Sequence, residues 1–312
     1  MVEIVVRPSG PYSLSRSARF ASDATRQVRE GLVTARCCGA IARAWQSSDG
    51  TVTIRSESVA AAEKLRWTLA LDDDHSEFLR RFADDPLIGR ATKHFRGLRP
   101  VRTATVAQAL LRAVCGQLVD WKTGRRLEWR VIRALQSRDA QDAVPGTDLT
   151  QPPATAGVPS QSRDRRVAVP GTGLAEPPTT AALAAFAPFE LRRLGLHERR
   201  GAAVVRVCRG LELERLHDLP TDAVVRRIER ERGLGPWSAG VVCLEGLGRR
   251  EHGLVGDLGL VKLLRALRGR QVETWETAEL LVPYGEWAGL ASIYLLAGFS
   301  RGLIPLPAAR AA

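Results

Sequence analysis

The chain has 312 residues, of which 45% are hydrophobic and 26% are charged. This balance is typical of a soluble globular protein and excludes a fibrous or wholly disordered chain. The formal net charge of +12 favours a polyanionic partner such as nucleic acid, although codon bias towards arginine also explains it. Residues 96–312 alone carry a net charge of +10, so we expect an anionic ligand to bind there.

Several kinds of site and segment are not expected. The sequence has no run of 18 apolar residues, no basic stretch followed by an apolar block at its beginning and no Cys-x-x-Cys pair. We therefore expect no membrane-spanning helix, no signal peptide, no structural zinc site and no iron–sulfur cluster. The five cysteines are expected to be reduced thiols, which is typical of a cytoplasmic protein.

Residues 1–75 are predicted to form a small β-rich domain. Residues 3–8 and 50–56 are short β-branched runs. Residues 58–71 have apolar positions at helical spacing. The three acidic residues at 72–74 are interpreted as a helix boundary rather than as a metal site, because carboxylates commonly satisfy helix termini.

Residues 76–312 are predicted to form a mostly helical domain. Residues 103–135 favour about two long helices, with apolar positions three and four apart. Residues 137–178 break this pattern, being rich in Pro, Gly and polar residues and containing an imperfect repeat, AVPGTDLTQPP against AVPGTGLAEPP. We predict a disordered insertion at 137–178 that contributes little to the core.

Residues 221–248 read TDAVVRRIERERGLGPWSAGVVCLEGLG and predict two helices joined by a tight hairpin. Gly233 and Gly235 permit the turn, and Pro236 suits the first position of the second helix. The backbone N–H groups at the start of that helix lack intrahelical partners and would suit a DNA phosphate. Glycines at an ordinary helix end are the alternative interpretation.

A single carboxylate, Asp257, stands in the segment GLVGDLGLVKLLRAL at 253–267. It follows Trp237 by 20 residues and precedes an apolar helical run. Taken alone, Asp257 is more simply explained as the N-cap of that helix.

Together these residues resemble the helix-hairpin-helix DNA glycosylase superfamily, and within it the DNA-3-methyladenine glycosylase II branch, which acts on alkylated bases. GLGPWSAGVVCL resembles the family hairpin, GDLGLVKLL resembles its catalytic segment, and CGQLV at 115–119 resembles its GQLV signature. The resemblance covers roughly 76–312 outside the insertion. It implies an α+β fold, in which a mostly helical glycosylase core follows a small β-rich N-terminal domain.

The resemblance also implies roles for matching positions. Asp257 becomes the catalytic carboxylate, and Gly233, Gly235 and Trp237 become the hairpin that holds DNA. Leu118 becomes the wedge that fills the stack after the damaged base leaves, with Gln117 beside it.

Some positions depart from the family pattern. Trp237 stands where lyase-active relatives have a lysine, which implies a monofunctional enzyme that uses water. The cluster-forming cysteines of another branch are absent, so no metal and no cofactor are expected. Lys262, five residues after Asp257, is expected on a different helical face. The pocket aromatics of the branch are only partly present. Three residues, Trp237, Tyr294 and Trp287, are candidates to line a base pocket. Packing in the core is the alternative role for these aromatic residues.

Two functional hypotheses follow. The first is a monofunctional DNA glycosylase that hydrolyses the N-glycosidic bond of alkylated, 3-methyladenine-like bases in base-excision repair. The second is a non-catalytic protein that binds damaged DNA on a glycosylase-like fold. In either case the expected partner is double-stranded DNA with alkylated bases, bound by a monomer in the cytoplasm.

Overall fold

The N-terminal part of the chain folds as one antiparallel sheet, in a computed structural model that describes residues 1–142 and 173–307. Its strands are Val2–Val6 (β1), Arg26–Arg29 (β2), Leu32–Cys37 (β3), Ala40–Gln46 (β4) and Val52–Ser56 (β5). The strand order is β1-β5-β4-β3-β2, so the two strands predicted from β-branched runs, β1 and β5, are neighbours.

Two helices accompany this sheet, Leu14–Ser17 (α1) and Val59–Thr68 (α2). Ser58 caps α2 by accepting a hydrogen bond from the Ala61 N–H. Ala61, Ala62 and Leu65 on α2 are fully buried against the sheet. The sheet, α1 and α2 all lie within the predicted segment 1–75.

The rest of the described chain is helical. Its α-helices are Ser76–Arg81 (α3), Gly89–His94 (α4), Val106–Gly116 (α5), Trp121–Asp142 (α6), Thr180–Ala184 (α7), Pro188–Arg193 (α8), Glu198–Gly210 (α9), Thr221–Glu229 (α10), Pro236–Val241 (α11), Leu258–Arg268 (α12), Thr277–Leu281 (α13) and Ala288–Ser300 (α14). A π-helical turn, Val242–Gly246, continues α11, and 3₁₀ turns cover Leu213–Asp218, Thr274–Glu276 and Val282–Trp287. This arrangement of a small sheet followed by helices confirms the predicted α+β class.

The helices enclose two hydrophobic cores. One forms around α5, α6 and α9, with Leu110, Ile132 and Val204 fully buried. The other forms around α12 and α14 with α3 and α4, and buries Phe78 and Leu290. Helix α11 and the π-helical turn after it contribute side chains to both cores. The candidate site therefore rests between two packed halves.

The ends of the predicted insertion at 137–178 need correction. Helix α6 continues through 137–142, and 173–178 packs on the fold. Leu174 is 9% exposed, Ala175 is fully buried, and the Ala175 N–H donates to the Ala24 carbonyl. Small apolar side chains between prolines are enough to join a core, which the Pro-rich composition concealed. Residues 143–172, including all of the first repeat copy, lie outside the described residues.

The stretch Thr274–Ser300 is long and apolar enough to cross a membrane by length and composition, and half of its most apolar window is buried inside the structure. A non-helical residue, Gly285, interrupts it at φ 50° and ψ −124°. Trp287 and Tyr294 pack from this stretch into the second core. Its apolar character is therefore explained by core packing.

Candidate nucleic-acid interface and active site

The predicted hairpin is present between α10 and α11. Gly233 has φ 94°, a left-handed conformation that L side chains rarely adopt. Pro236 occupies the first helical position, as the sequence predicts. The side-chain amide of Gln117 donates to the Gly233 carbonyl at 2.8 Å and to Ser238 Oγ at 3.2 Å. Gln117 therefore fastens the end of α5 to the hairpin.

Asp257 is both a helix cap and a site residue. Its Oδ1 accepts the N–H groups of Gly259 at 2.7 Å and Leu260 at 3.3 Å, which caps α12. Its Oδ2 accepts the indole Nε1–H of Trp237 at 3.1 Å. The two interpretations of Asp257 offered by the sequence are thus compatible, because each oxygen has its own donors. The carboxylate is only partly buried and faces a cleft.

The loop before Asp257 is fixed by the backbone. Gly256 has φ 84°, and its N–H donates to Thr277 Oγ1 at 2.7 Å. A Cβ at Gly259 would come within 2.5 Å of Leu296 Cδ2, so α12 and α14 approach closely at this glycine. These contacts fix the main chain on both sides of the carboxylate.

Trp237 lies against the backbone of α5. A Cβ at Gly116 would stand 2.8 Å from Cη2 of the Trp237 ring, so the ring occupies the space that a side chain would take. Gly124 on α6 approaches Gly116 in the same way, since its Cβ would lie 3.0 Å from the Gly116 Cα. The glycine of the GQLV motif is therefore required for the indole to reach Asp257.

A cleft of about 910 Å³ runs past these residues. Its lining includes Gln117, Leu118, Trp121, Trp237, Asp257 and Lys262. Leu118 is 81% exposed and has φ 54°, an unfavourable conformation for a branched side chain. Strained and exposed apolar residues of this kind concentrate at functional sites.

The floor of the cleft is charged. The Arg112 guanidinium contacts Asp23 at 2.7 Å, Glu128 at 2.9 Å and Glu245 at 2.6 Å. Arg125 adds a contact to Glu128 at 3.2 Å. Burial favours protonation of Glu245, but Arg112 and Arg125 outweigh it and hold the pKa of its carboxyl below the usual value. The floor is thus a network of arginine–carboxylate contacts.

The structure corrects the predicted base pocket. Tyr294 is fully buried and donates to the Leu98 carbonyl at 3.1 Å, while Trp287 is 1% exposed beside Phe78. Both lie in the second core and outside the cleft lining, as does Tyr284. Packing decides whether these aromatic side chains enter the core or the cleft. A stretch that is apolar on all sides does not reveal this direction in sequence.

The structure places Lys262 on the lining of the same cleft as Asp257, although a different helical face was expected. The five-residue offset does separate the two positions around the helix, but Asp257 caps the helix end and the cleft is wide enough to include both residues. Sequence reasoning also missed Trp121 and the charged floor. Trp121 stands three residues after Leu118, which was the available signal.

Metal ligands have no evident place in this arrangement. Within 1–142 and 173–307, no group of three or more His, Cys, Asp and Glu side chains could hold a metal ion. All five cysteines are free, and Cys38 alone among them is exposed.

Comparison with known proteins decides the fold. No protein-family model matches the chain. The DNA-3-methyladenine glycosylase of Bacillus subtilis (strain 168) is 22% identical over 232 residues, which cover 72% of this chain and 67% of that protein. The 3-methyladenine DNA-glycosylase structure from Archaeoglobus fulgidus superposes with a TM-score of 0.72 at 18% identity, over 96% of this chain and 99% of that one.

This is the helix-hairpin-helix DNA glycosylase fold. A second glycosylase structure, the Clostridium acetobutylicum 8-oxoguanine glycosylase/lyase with double-stranded DNA containing cytosine opposite 8-oxoguanine, matches with a TM-score of 0.69 at 13% identity, over 96% of this chain and 98% of that one. The chain therefore shares its fold both with a protein named for an alkylated base and with one named for an oxidised base. The fold alone does not decide which class of base this chain acts on.

Proposed function

We propose that the chain is a monofunctional DNA glycosylase that removes alkylated bases from double-stranded DNA. The observation that carries this proposal is the Asp257 carboxylate, which is held by Trp237 and the start of α12 on the wall of a cleft. The hairpin glycines and the exposed Leu118 stand on the same cleft. A damaged base must leave the duplex to be cut, so a wedge and a carboxylate in one cleft suit this reaction.

The reaction breaks the bond between the sugar C1′ and the base nitrogen. The base departs with the bonding electrons, and positive charge develops on the sugar ring. An ionised Asp257 stabilises that charge because its position is fixed before the reaction begins. Water then adds at C1′ and loses its proton, which Asp257 can accept. Leu118 fills the space that the extruded base leaves in the stack.

Trp237 supports the monofunctional part of the proposal. It occupies the position where the resemblance places a lysine in lyase-active relatives, and an indole nitrogen cannot form an imine with the sugar. The product is then an intact abasic strand. Because Lys262 lines the cleft, borohydride trapping should be run on the wild type and on Lys262→Gln. We expect no covalent adduct with either protein. An adduct that disappears in Lys262→Gln would make the enzyme bifunctional.

The preference for alkylated bases is supported by the names of the Bacillus and Archaeoglobus relatives and by the Trp237 ring in the cleft. The test is abasic-site formation on duplexes that each carry one lesion, including 3-methyladenine, 7-methylguanine and 8-oxoguanine. We expect release of the methylated bases to be fastest. Faster release of 8-oxoguanine would overturn the alkylated-base assignment, and tight binding of every lesion without release would favour a non-catalytic binding protein.

A further inference from the structure

Two exposed aromatic side chains stand beside the wedge at the rim of the cleft. Trp121 begins α6 and lines the cleft, yet it is 60% exposed. Phe20, from the loop between α1 and β2, is 66% exposed and meets the Trp121 ring edge-on, with centroids 6.1 Å apart. Scattered exposed apolar residues are ordinary, but a contacting pair next to the exposed Leu118 marks a binding surface.

The pair is held in place and flanked by positive charge. The Asp120 carboxylate accepts the N–H groups of Lys122 at 3.0 Å and Thr123 at 3.1 Å, which fixes the first turn of α6 under Trp121. The Arg19 guanidinium lies 5.2 Å from the centroid of the Phe20 ring, and Lys122 is exposed. Aromatic faces among cations are the usual surface for an unpaired base and its phosphate.

We propose that Phe20 and Trp121 form a platform on which the unpaired base of the opposite strand stacks. Extrusion leaves two bases without partners, and the proposed function, on which this inference rests, assigns the damaged one to the cleft beside Asp257. A ring that closed over that base would be covered, whereas Trp121 is 60% exposed. Leu118, three residues before Trp121, would fill the position that the damaged base leaves in the stack. The Trp121 ring is then placed to meet the unpaired base on the opposite strand.

The test measures equilibrium binding and needs no catalysis. Two duplexes are compared, one with a tetrahydrofuran abasic analogue opposite a normal base and one with the analogue opposite a second analogue. Trp121→Ala should weaken binding to the first duplex roughly 10-fold or more, as expected for loss of one base–aromatic stack. It should leave binding to the second duplex nearly unchanged. Phe20→Ala should show the same pattern with a smaller loss, and Trp121→Phe should retain most of the affinity.

Trp129→Ala is the matched control, because Trp129 lies on the same helix, is 47% exposed and is outside the cleft lining. It should bind both duplexes like the wild type, and circular dichroism should confirm that each variant is folded. Equal losses on both duplexes would contradict the proposal, since the ring would then act without an opposite base. Unchanged binding with slower base release would also contradict it, because Trp121 would then belong to the damaged-base pocket. If Trp121→Ala weakens binding only to the duplex with an opposite base, and the wild type releases no base, the platform is supported and only the proposed function is refuted.

Discussion

At the residue scale, the indole of Trp237 holds one oxygen of Asp257. Its Nε1–H donates to Asp257 Oδ2 at 3.1 Å, and among the described residues it is the side-chain donor to that oxygen. Hydrogen bonds to ionised groups are worth more than neutral ones, so the bond fixes the carboxylate at the point where the proposed reaction develops charge on the sugar. Trp237 is in this sense a positioning residue as well as part of the hairpin.

Trp237→Phe should therefore slow base release while leaving DNA affinity close to that of the wild type. The ring would still pack against Gly116, but the donor to Asp257 would be lost. We expect a fall of about 10-fold in the single-turnover rate, the size of one hydrogen bond to a charged group. Trp129→Phe serves as the control. An unchanged rate in Trp237→Phe would show that the contact does not act in the reaction.

The individual site residues differ in how far sequence could place them. Asp257, Trp237, Gln117 and Leu118 belong to short motifs that keep order and spacing, and the structure brings all four to one cleft. Tyr294 could not be placed in this way. The helix around it is apolar on all sides, so periodicity does not distinguish the face that enters the core from the face of Leu296, which lines the cleft.

At the scale of elements, the segment 173–178 joins the two parts of the described fold. The Glu176 carboxylate accepts the Gly39 N–H at 3.0 Å in the β3–β4 turn, and the Pro178 carbonyl accepts the Thr105 hydroxyl at 2.7 Å at the start of α5. A Pro-rich segment can make such contacts without regular structure, and composition alone does not reveal them.

Leu174→Ala should accordingly destabilise the protein by about 2 kcal/mol, the lower end of the range for leucine truncation in a core. The Leu174 side chain is only 9% exposed, and the next residue, Ala175, belongs to the helical core. Urea unfolding measures the change, and Leu306→Ala, at an exposed position, is the control. A loss below about 0.5 kcal/mol, the usual range for a surface site, would place 173–178 outside the core after all.

The sheet shows a different limit of prediction. The sequence predicts two of the five strands, β1 and β5, because both are rich in β-branched residues. Strands β2, β3 and β4 contain arginine, β3 and β4 also contain alanine, and their β structure depends on pairing such as Val33 with Ala44. Pairing between distant residues is a tertiary effect that local composition does not encode. The helices of the site were predicted better, since their apolar spacing and their glycine and proline boundaries are local.

At the scale of the whole molecule, a buried ionic network joins the N-terminal sheet to the helices under the cleft. Asp23 from the first part meets Arg112 on α5, which also contacts Glu128 on α6 and Glu245 on the π-helical turn. Burial favours the neutral acid, but Arg26, Arg112 and Arg125 outweigh it and lower the pKa of Asp23 to about 2. Asp23 therefore remains ionised in neutral solution.

Arg112→Met should destabilise the protein by about 3–5 kcal/mol at neutral pH, because Glu245 loses its ion-pair partner and Asp23 and Glu128 each lose one of theirs. A lowered carboxyl pKa contributes stability that is present above the unfolded value of about 4 and is lost as pH falls towards the folded value. The difference between wild type and variant should thus narrow in urea unfolding as pH falls from 6 to 3. Arg66→Met, in an exposed pair with Asp72, should cost under about 1 kcal/mol. A difference that does not change with pH would contradict this account.

The positive charge of the chain predicts how DNA binding depends on salt. If the hairpin binds phosphate as proposed, then with a net charge of +12 the affinity for undamaged duplex should fall with a log–log slope of about −0.9 for each phosphate neutralised. Several contacts should give a slope steeper than about −3, measured by fluorescence anisotropy at several salt concentrations. A DNA affinity that does not change with salt concentration would mean that the positive charge reflects amino-acid composition and not a DNA-binding surface.

The most direct test of the account is single-turnover base release by Asp257→Asn on a duplex carrying a methylated base. Asparagine caps helices as well as aspartate, so the fold and DNA affinity should be preserved while the negative charge is removed. Asp85→Asn is the matched control, because Asp85 also accepts two backbone N–H groups, from Leu87 and Ile88, outside the cleft. The account predicts a loss of at least about 100-fold in Asp257→Asn and none in the control. Base release near the wild-type rate by Asp257→Asn would contradict it.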